Sequence, residues 1–303
     1  MTALLLGALG LTLSLLAPKL LATARWTDRA PVAGVLLWQS LTLTAVLCAL
    51  GVVLAAPEEA SRAAGARHPE TVAALLFSLA VAATIVIRLI VSLVRVTSRA
   101  RARRDRHRML VDLLDSVERH GELTGDEVRV LEAPLPLAYC VPGRDPRVVL
   151  SDGVLRVLDR PQVDAVLAHE RAHLRHKHEL VMESFTAFYQ AVPGPLRDKA
   201  PLDAVHLLLE MVADDAARRR TGPEPLRAAL ERLTDAVPLS EEVTADPEGE
   251  SRRRRLARLD GPAARSTALT VAGTAAAAGL LVLPTVIVVV PWMARALDAW
   301  PLR

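Results

Sequence analysis

Apolar residues along this chain fall into four long blocks, with a differently patterned interval between the third and the fourth. The blocks run from about Ala3 to Ala22, Val32 to Ala56, Val72 to Val94 and Thr267 to Met293. Each matches the roughly 20 apolar residues that carry a helix across a bilayer. In the interval, residues from about Arg106 to His120 place Leu110, Leu113, Leu114 and Val117 on one side of a helix. Short strands are expected at Val128–Leu131, Leu137–Val141 and Arg147–Ser151. The turn-rich Pro142-Gly143-Arg144-Asp145-Pro146 joins the last two, and Asp152-Gly153 closes the small sheet.

A helix then opens near Asp159, a good N-cap with Pro161 in the first turn, and runs to about His178. Further helices are expected from about Glu179 to Ala191, from Asp203 through Arg218, and from Pro225 to Ala236. Val237 to Glu250 is acidic and proline-containing and reads as a mobile linker, and Arg252 to Arg258 leads back to the fourth block. The expected fold class is an α-helical integral membrane protein with four transmembrane helices and an α+β domain containing a small β-sheet. In linear terms it divides into 1–95, 96–266 and 267–303.

Composition supports this. Of 303 residues, 51% are apolar and only 3% aromatic, an unusual balance for a soluble enzyme. A cleaved signal peptide is disfavoured for the first block, because no basic residue precedes it and Pro18-Lys19 is not a small-x-small site. The net charge of +3 hides an uneven distribution. Arg95, Arg99, Arg101, Arg103, Arg104, Arg106 and Arg108 crowd the exit of the third block. Such a run can contact nucleic acid, but directly after a span it more often marks the cytoplasmic side and touches anionic headgroups.

Arg25 and Arg29 make the first loop basic, whereas the second mixes Glu58, Glu59 and Glu70 with Arg62 and Arg67. The alternation places the N-terminus outside and Arg95 to Arg265 inside, with the lipid bilayer as a partner and no direct nucleic-acid partner. Arg88, inside the third block, is costly there; it either serves a function or snorkels to the nearby cytoplasmic end. Cys48 and Cys140 fall in different compartments, so no disulfide is expected and Cys140 reads as a structural thiol.

The chemistry is carried by Ala168-His169-Glu170-Arg171-Ala172-His173. Positions i and i+4 of a helix share a face, so His169 and His173 can aim imidazole nitrogens at one metal ion. Glu170 beside them can take a proton from a water held there. Incidental histidines on a surface helix are the bland alternative. Catalytic zinc needs a third protein ligand. His176 lies about 10.5 Å along the axis from His169 at 1.5 Å per residue. No glycine breaks the helix, so His176, Lys177 and His178 read as solvated or headgroup-facing.

Glu210 follows the apolar run Leu207 to Leu209, with Asp214 one turn later on the same face. That spacing lets Glu210 bind the ion while Asp214 holds a ligand histidine. His206 is the rival ligand. Ion pairing with Arg218 and Arg219 is the structural alternative for the acids, and it suits Asp215 better than Glu210.

Three stretches carry a family resemblance: Ala138-Tyr139-Cys140-Val141-Pro142-Gly143, Val148-Val149-Leu150-Ser151-Asp152-Gly153, and Val166-Leu167-Ala168-His169-Glu170-Arg171-Ala172-His173-Leu174-Arg175. The chain resembles the BlaR/MecR-type membrane metallopeptidases over essentially its whole length. Glu210 to Asp214 fits the Glu-x-x-x-Asp element shared with the HtpX and CAAX prenyl protease group. The resemblance implies a cytoplasmic gluzincin-type site with one Zn2+ per chain. Its ligands would be His169, His173 and Glu210, with Glu170 as general base and Asp214 in support.

By the same resemblance, Val148, Val149 and Leu150 would form the edge on which an extended substrate pairs. Receptor members carry an extracellular penicillin-binding sensor after the last span. Only Ala294 to Arg303 remain here, so sensing through such a domain is not expected of this chain. HtpX relatives often show Thr-His-Pro near the end of the protease. Ala245-Asp246-Pro247 lacks that histidine, which leaves Arg255 as the candidate oxyanion partner.

The expected function is zinc-dependent endoproteolysis of a protein or peptide in regulated signalling, such as cleavage of a transcriptional repressor or of the protease itself. HtpX-like membrane quality control is an alternative, and a zinc-binding scaffold that does not cut is another. Abundant alanine, and arginine used almost to the exclusion of lysine, suggest a GC-rich bacterial source, and hence a bacterial cell membrane.

Overall fold

The computed structural model describes residues 2–63, 69–114, 128–194, 197–235, 247–261 and 266–298. They form two compact units, one of residues 1–92, 188–201 and 266–303, the other of 93–187 and 202–265. Residues 188–201 thus cluster with the apolar helices, although the linear division put them in the middle segment.

The first unit is helical. Helix α1 (Thr2–Leu11) passes through a π-helical turn, Thr12–Leu16, into α2 (Ala17–Ala22). Pro18 supplies the reason, since it has no N–H to continue the ladder. Helices α3 (Pro31–Ala63), α4 (Pro69–Leu114) and α11 (Thr267–Asp298) are the other long elements. Four helical stretches are long and apolar enough to cross a membrane: Ala3–Ala22, Pro31–Val53, one within Val72–Leu110, and Thr267–Ile287.

Their outward faces are apolar, with Leu76, Phe77, Leu79, Ile87 and Ile90 of α4 all exposed. Between α3 and α11 the contact is close. A Cβ on Gly273 would lie 2.9 Å from that of Ala33, and the Thr44 hydroxyl donates to the Leu280 carbonyl at 2.9 Å. Small residues and one interhelical hydrogen bond are how helices associate where water cannot drive them together.

Arg88 is settled by packing: its Nε and Nη2 donate to the Ala191 carbonyl at 3.0 and 2.8 Å. That carbonyl ends a helix, where a cation is favourable. The helix expected at Arg106–His120 is not separate. α4 continues unbroken through it to Leu114, with Leu110 exposed, and residues 115–120 lie outside the described residues. So does most of the expected linker Val237 to Glu250.

The second unit holds the sheet. Strands β1 (Val128–Leu131), β2 (Ala138–Val141) and β3 (Arg147–Ser151) lie in the order β1-β3-β2. β3 pairs parallel with β1 and antiparallel with β2. It is therefore the middle strand, and Val148, Val149 and Leu150 are fully buried. This corrects the expectation that they form a substrate-binding edge: both sides of β3 are already hydrogen-bonded.

Asp152-Gly153 does not close the sheet but begins helix α5 (Asp152–Val157). Ser151 caps it, and its hydroxyl also donates to the Leu135 carbonyl at 2.7 Å and accepts from Leu137 N–H at 2.9 Å. Gly153 must be glycine because a Cβ there would fall onto the backbone of Pro134 and Leu135.

Helix α6 (Arg160–His176) starts as expected, with Asp159 and Gln162 forming a capping box and Pro161 in the first turn. It stops at Lys177, whose φ of 52° and ψ of 44° are left-handed. The chain reverses through that single residue into α7 (His178–Ala191). The break falls within a residue or two of the expected boundary and is made by a non-glycine residue.

α8 (Ala200–Thr221), α9 (Pro223–Asp235) and α10 (Pro247–Leu259) follow. Val154, Val163, Val166 and Leu167 pack against Val148 and Leu150, seating α6 on the sheet. On its other side Ala165 and Ala168 meet Leu226 of α9, Ala217 of α8 and Leu259 of α10.

Candidate metal centre

Two helices build the site. On α6, His169 and His173 stand one turn apart with their Nε2 atoms 3.1 Å from each other. From α8, Glu210 brings Oε2 to 3.4 Å from His169 Nε2 and Oε1 to 3.3 Å from His173 Nε2. Zinc bound tetrahedrally at 2.0–2.2 Å separates its ligand atoms by about 3.3–3.6 Å. The three measured spacings lie at or near that size, so the donor set fits the ion. Among the described residues this is the one cluster of His, Cys, Asp and Glu side chains placed to hold a metal. His206, the rival ligand, is exposed and outside it.

Around the three donors the charges are arranged for a cation. Asp214, 1% exposed, brings Oδ1 to 3.0 Å from His169 Nδ1, off the N–H axis. Arg255 of α10 forks onto Asp214 with Nε and Nη2 at 2.8 Å, and its Nη1 reaches Glu210 Oε2 at 2.8 Å. This arrangement corrects the oxyanion role suggested for Arg255. Its guanidinium is committed to two carboxylates and holds them in register.

The acids do not pair with Arg218 and Arg219 as the alternative supposed. Arg218 donates to the carbonyls of Arg258 and Gly261, and Asp215 pairs with Arg258 at 3.0 Å.

Titration behaviour follows from these contacts. Burial opposes charge on His169, but the carboxylates of Asp214 and Glu210 beside it overcome that and raise the imidazolium to about 10; a metal cation bound at Nε2 would displace that proton. Burial alone would raise Glu210 and Asp214. His169 and Arg255 outweigh it and hold both carboxyls well below their usual range. His173 is pushed down to about 3, first by burial. It is therefore a neutral ring, with a lone pair to offer a metal. Burial raises the carboxyl of Glu170, which sits next to the first ligand.

Cys140 of β2 lies close enough to Glu170 for each to affect the other's titration. Burial, then Glu170 and Glu179, push its thiol up to about 12. A thiol so held is no nucleophile at neutral pH.

One residue of the site escaped sequence reasoning. His178, expected to be solvated, is 5% exposed with Nδ1 2.9 Å from Nδ1 of His173. His173 directs Nε2 toward the metal position, so its Nδ1 carries the proton and donates to His178. The left-handed Lys177 makes this possible by folding the start of α7 back onto α6. Five residues of separation gave no periodic signal for it.

Comparison with known proteins locates the likeness in this region. Residues 100–196 match the model of Peptidase family M48, a stretch that contains His169, Glu170 and His173 and ends before Glu210. A "Protease HtpX homolog 1" from Streptomyces coelicolor is 30% identical over 171 residues, covering 44% of this chain and 56% of the relative. A "Protease HtpX homolog" from Acaryochloris marina is 27% identical over 146 residues, 33% of this chain and 50% of the relative. Another, from Thermoplasma acidophilum, is 33% identical over 73 residues, 23% of each chain. The chain thus spans from about a quarter to somewhat over half the length of these curated relatives. No solved structure matches it. In the segment carrying the paired histidines, the chain is similar to Peptidase family M48 and to proteases named as HtpX homologues.

Proposed function

We propose that the protein is an integral membrane zinc endopeptidase of HtpX-like character, cutting membrane or membrane-proximal proteins. The observation that carries this reading is the triangle of His169, His173 and Glu210 donors with Glu170 beside it. Zinc, when held there, lowers the pKa of a coordinated water and polarises the peptide carbonyl.

The protein's own residues do the rest. Glu170 accepts the proton of the attacking water and delivers it to the leaving amine nitrogen. Burial raises its carboxyl, which suits a group that must hold a proton between the two steps. Asp214 and Arg255 keep His169 and Glu210 in place. The substrate lies extended along β2, the sheet edge whose Cys140 adjoins Glu170. The arginines that follow the apolar part of α4 support a cytoplasmic peptidase unit.

A regulatory substrate, such as a repressor or the protein itself, is the second reading. It rests on the resemblance of residues 138–143, 148–153 and 166–175 to the BlaR/MecR type.

The test compares the detergent-purified holoprotein with its Glu170→Gln form on casein. Both should hold one zinc per chain, and the variant should lose about a hundred- to ten-thousandfold in rate, the usual contribution of a general base. Equal cleavage by the two would refute the peptidase reading. Substrates trapped by the inactive form separate quality control from signalling.

A further inference from the structure

Helix α10 brings little apolar surface to its packing. Among its described residues Leu259 is the one buried apolar side chain, meeting Leu226, Ala217, Ala165 and Ala168. Its grip on α8 is polar. Arg258 sends Nη2 to Asp215 Oδ1 at 3.0 Å and Nη1 to the Met211 carbonyl at 3.3 Å. In return Arg218 of α8 donates through Nη1 to the Arg258 carbonyl at 3.0 Å and through Nη2 to the Gly261 carbonyl at 2.7 Å. Asp215 is buried, and both arginines are half-buried.

A buried ion pair adds little to stability, because desolvating the two charges offsets their attraction; its best-attested use is to fix register. Apolar contact is non-directional, so one leucine does not set how a helix is turned. A slip of one residue would move α10 by about 1.5 Å and turn it by about 100°. Arg255 lies three residues before Arg258, on the same face of the helix. In the observed register its Nη1 meets Glu210 Oε2, and its Nε and Nη2 meet Asp214, all at 2.8 Å. A one-residue slip would break all three contacts. The same Glu210 Oε2 faces His169 Nε2 at 3.4 Å, so the ligand carboxylate would lose its orientation with them.

We infer that Asp215 and Arg258, backed by Arg218, are positioning residues for the metal centre. They set the register of α10 on α8, the register places Arg255, and Arg255 holds Glu210 and Asp214 in the geometry that takes the ion. None of the three belongs to the donor cluster itself. The inference rests on the reading of His169, His173 and Glu210 as the zinc ligands of a peptidase. It gives Asp215, an acid that the ligand spacing leaves over, a use of its own.

The experiment replaces the pair by apolar groups of similar size, Asp215→Leu/Arg258→Met, in the detergent-purified full chain. Zinc affinity is read by competition with a chromophoric chelator, beside melting of the zinc-free protein. Such a swap leaves no charge unpaired, so melting should stay native or rise. Zinc should nonetheless bind about tenfold more weakly, the low end of what outer partners of a metal site contribute. Asp215→Glu, which keeps a carboxylate for Arg258, should stay within threefold of native. In an Arg255→Met background the double substitution should change zinc affinity less than twofold, because the pair acts through Arg255. If the double variant does not melt cooperatively, Arg218→Met carries the test and should weaken zinc at least threefold. Native zinc affinity in a folded double variant overturns the inference, as does a tenfold loss that persists without Arg255. Casein cleavage that does not need Glu170 refutes the peptidase reading and leaves the zinc result standing. Glu170-dependent cleavage with native zinc affinity in the double variant refutes the register inference alone.

Discussion

His178 is the sharpest test of how the metal centre is held, because no step of the chemistry needs it. Its ring lies 2.9 Å from Nδ1 of His173 and is nearly buried. Replacing it with alanine removes the acceptor that keeps the His173 proton on Nδ1. A neutral hydrogen bond of this kind is worth about 1 kcal/mol net, or roughly fivefold in an equilibrium. Loss of ring orientation adds to that, since outer partners of ligand histidines are worth about 10–100-fold in metal affinity.

His178→Ala should therefore weaken zinc binding about tenfold, read by competition with a chromophoric chelator. His178→Asn, which keeps an accepting oxygen near the same place, should recover most of the loss. Melting of both variants at saturating zinc should stay close to native, which separates positioning from folding. An alanine variant that binds zinc within twofold of native would refute the reasoning.

Other expectations follow from the same geometry. Arg255→Met leaves the buried carboxylates of Asp214 and Glu210 without their cation, a loss of about 3–5 kcal/mol for a broken buried pair. Zinc should restore part of it, so the zinc-induced rise in melting temperature should exceed that of native protein; an equal rise would count against the pairing. Cys140, pushed up to about 12, should be about a thousandfold less thiolate at pH 8 than a free thiol, with alkylation slowed accordingly until the protein is unfolded. Because its folded pKa is the raised one, the associated stability is complete below the ordinary thiol value near 9. It is lost as pH climbs toward 12, so alkaline unfolding should be less steep in Cys140→Ala. Leu226→Ala, at 1% exposure among Ala165, Ala168, Ala217 and Leu259, should cost about 3 kcal/mol and lower the melting temperature measurably.

What was legible in the sequence is what depends on neighbours along the chain. Apolar length marked the four candidate spans. The i, i+4 spacing put His169 and His173 on one face, Asp159 and Pro161 marked the start of α6, and Glu210 with Asp214 stood out as acids on an apolar helix. Local rules reach that far because a helix or strand is set by residues within a few positions of each other.

Three features depended on contacts between distant segments. Whether β3 is an edge or the centre turns on where β1 and β2 pair, and alternation within one strand reads the same in either place. Arg255 meets Asp214 only because α10 packs beside α8, across 41 residues of chain. His178 reaches His173 through one left-handed lysine, a backbone state that carries no composition signal when glycine is absent. Position along the chain specified the candidate donors, while the groups packed around them and the strand left at the sheet edge were decided by how the helices and sheet close upon one another.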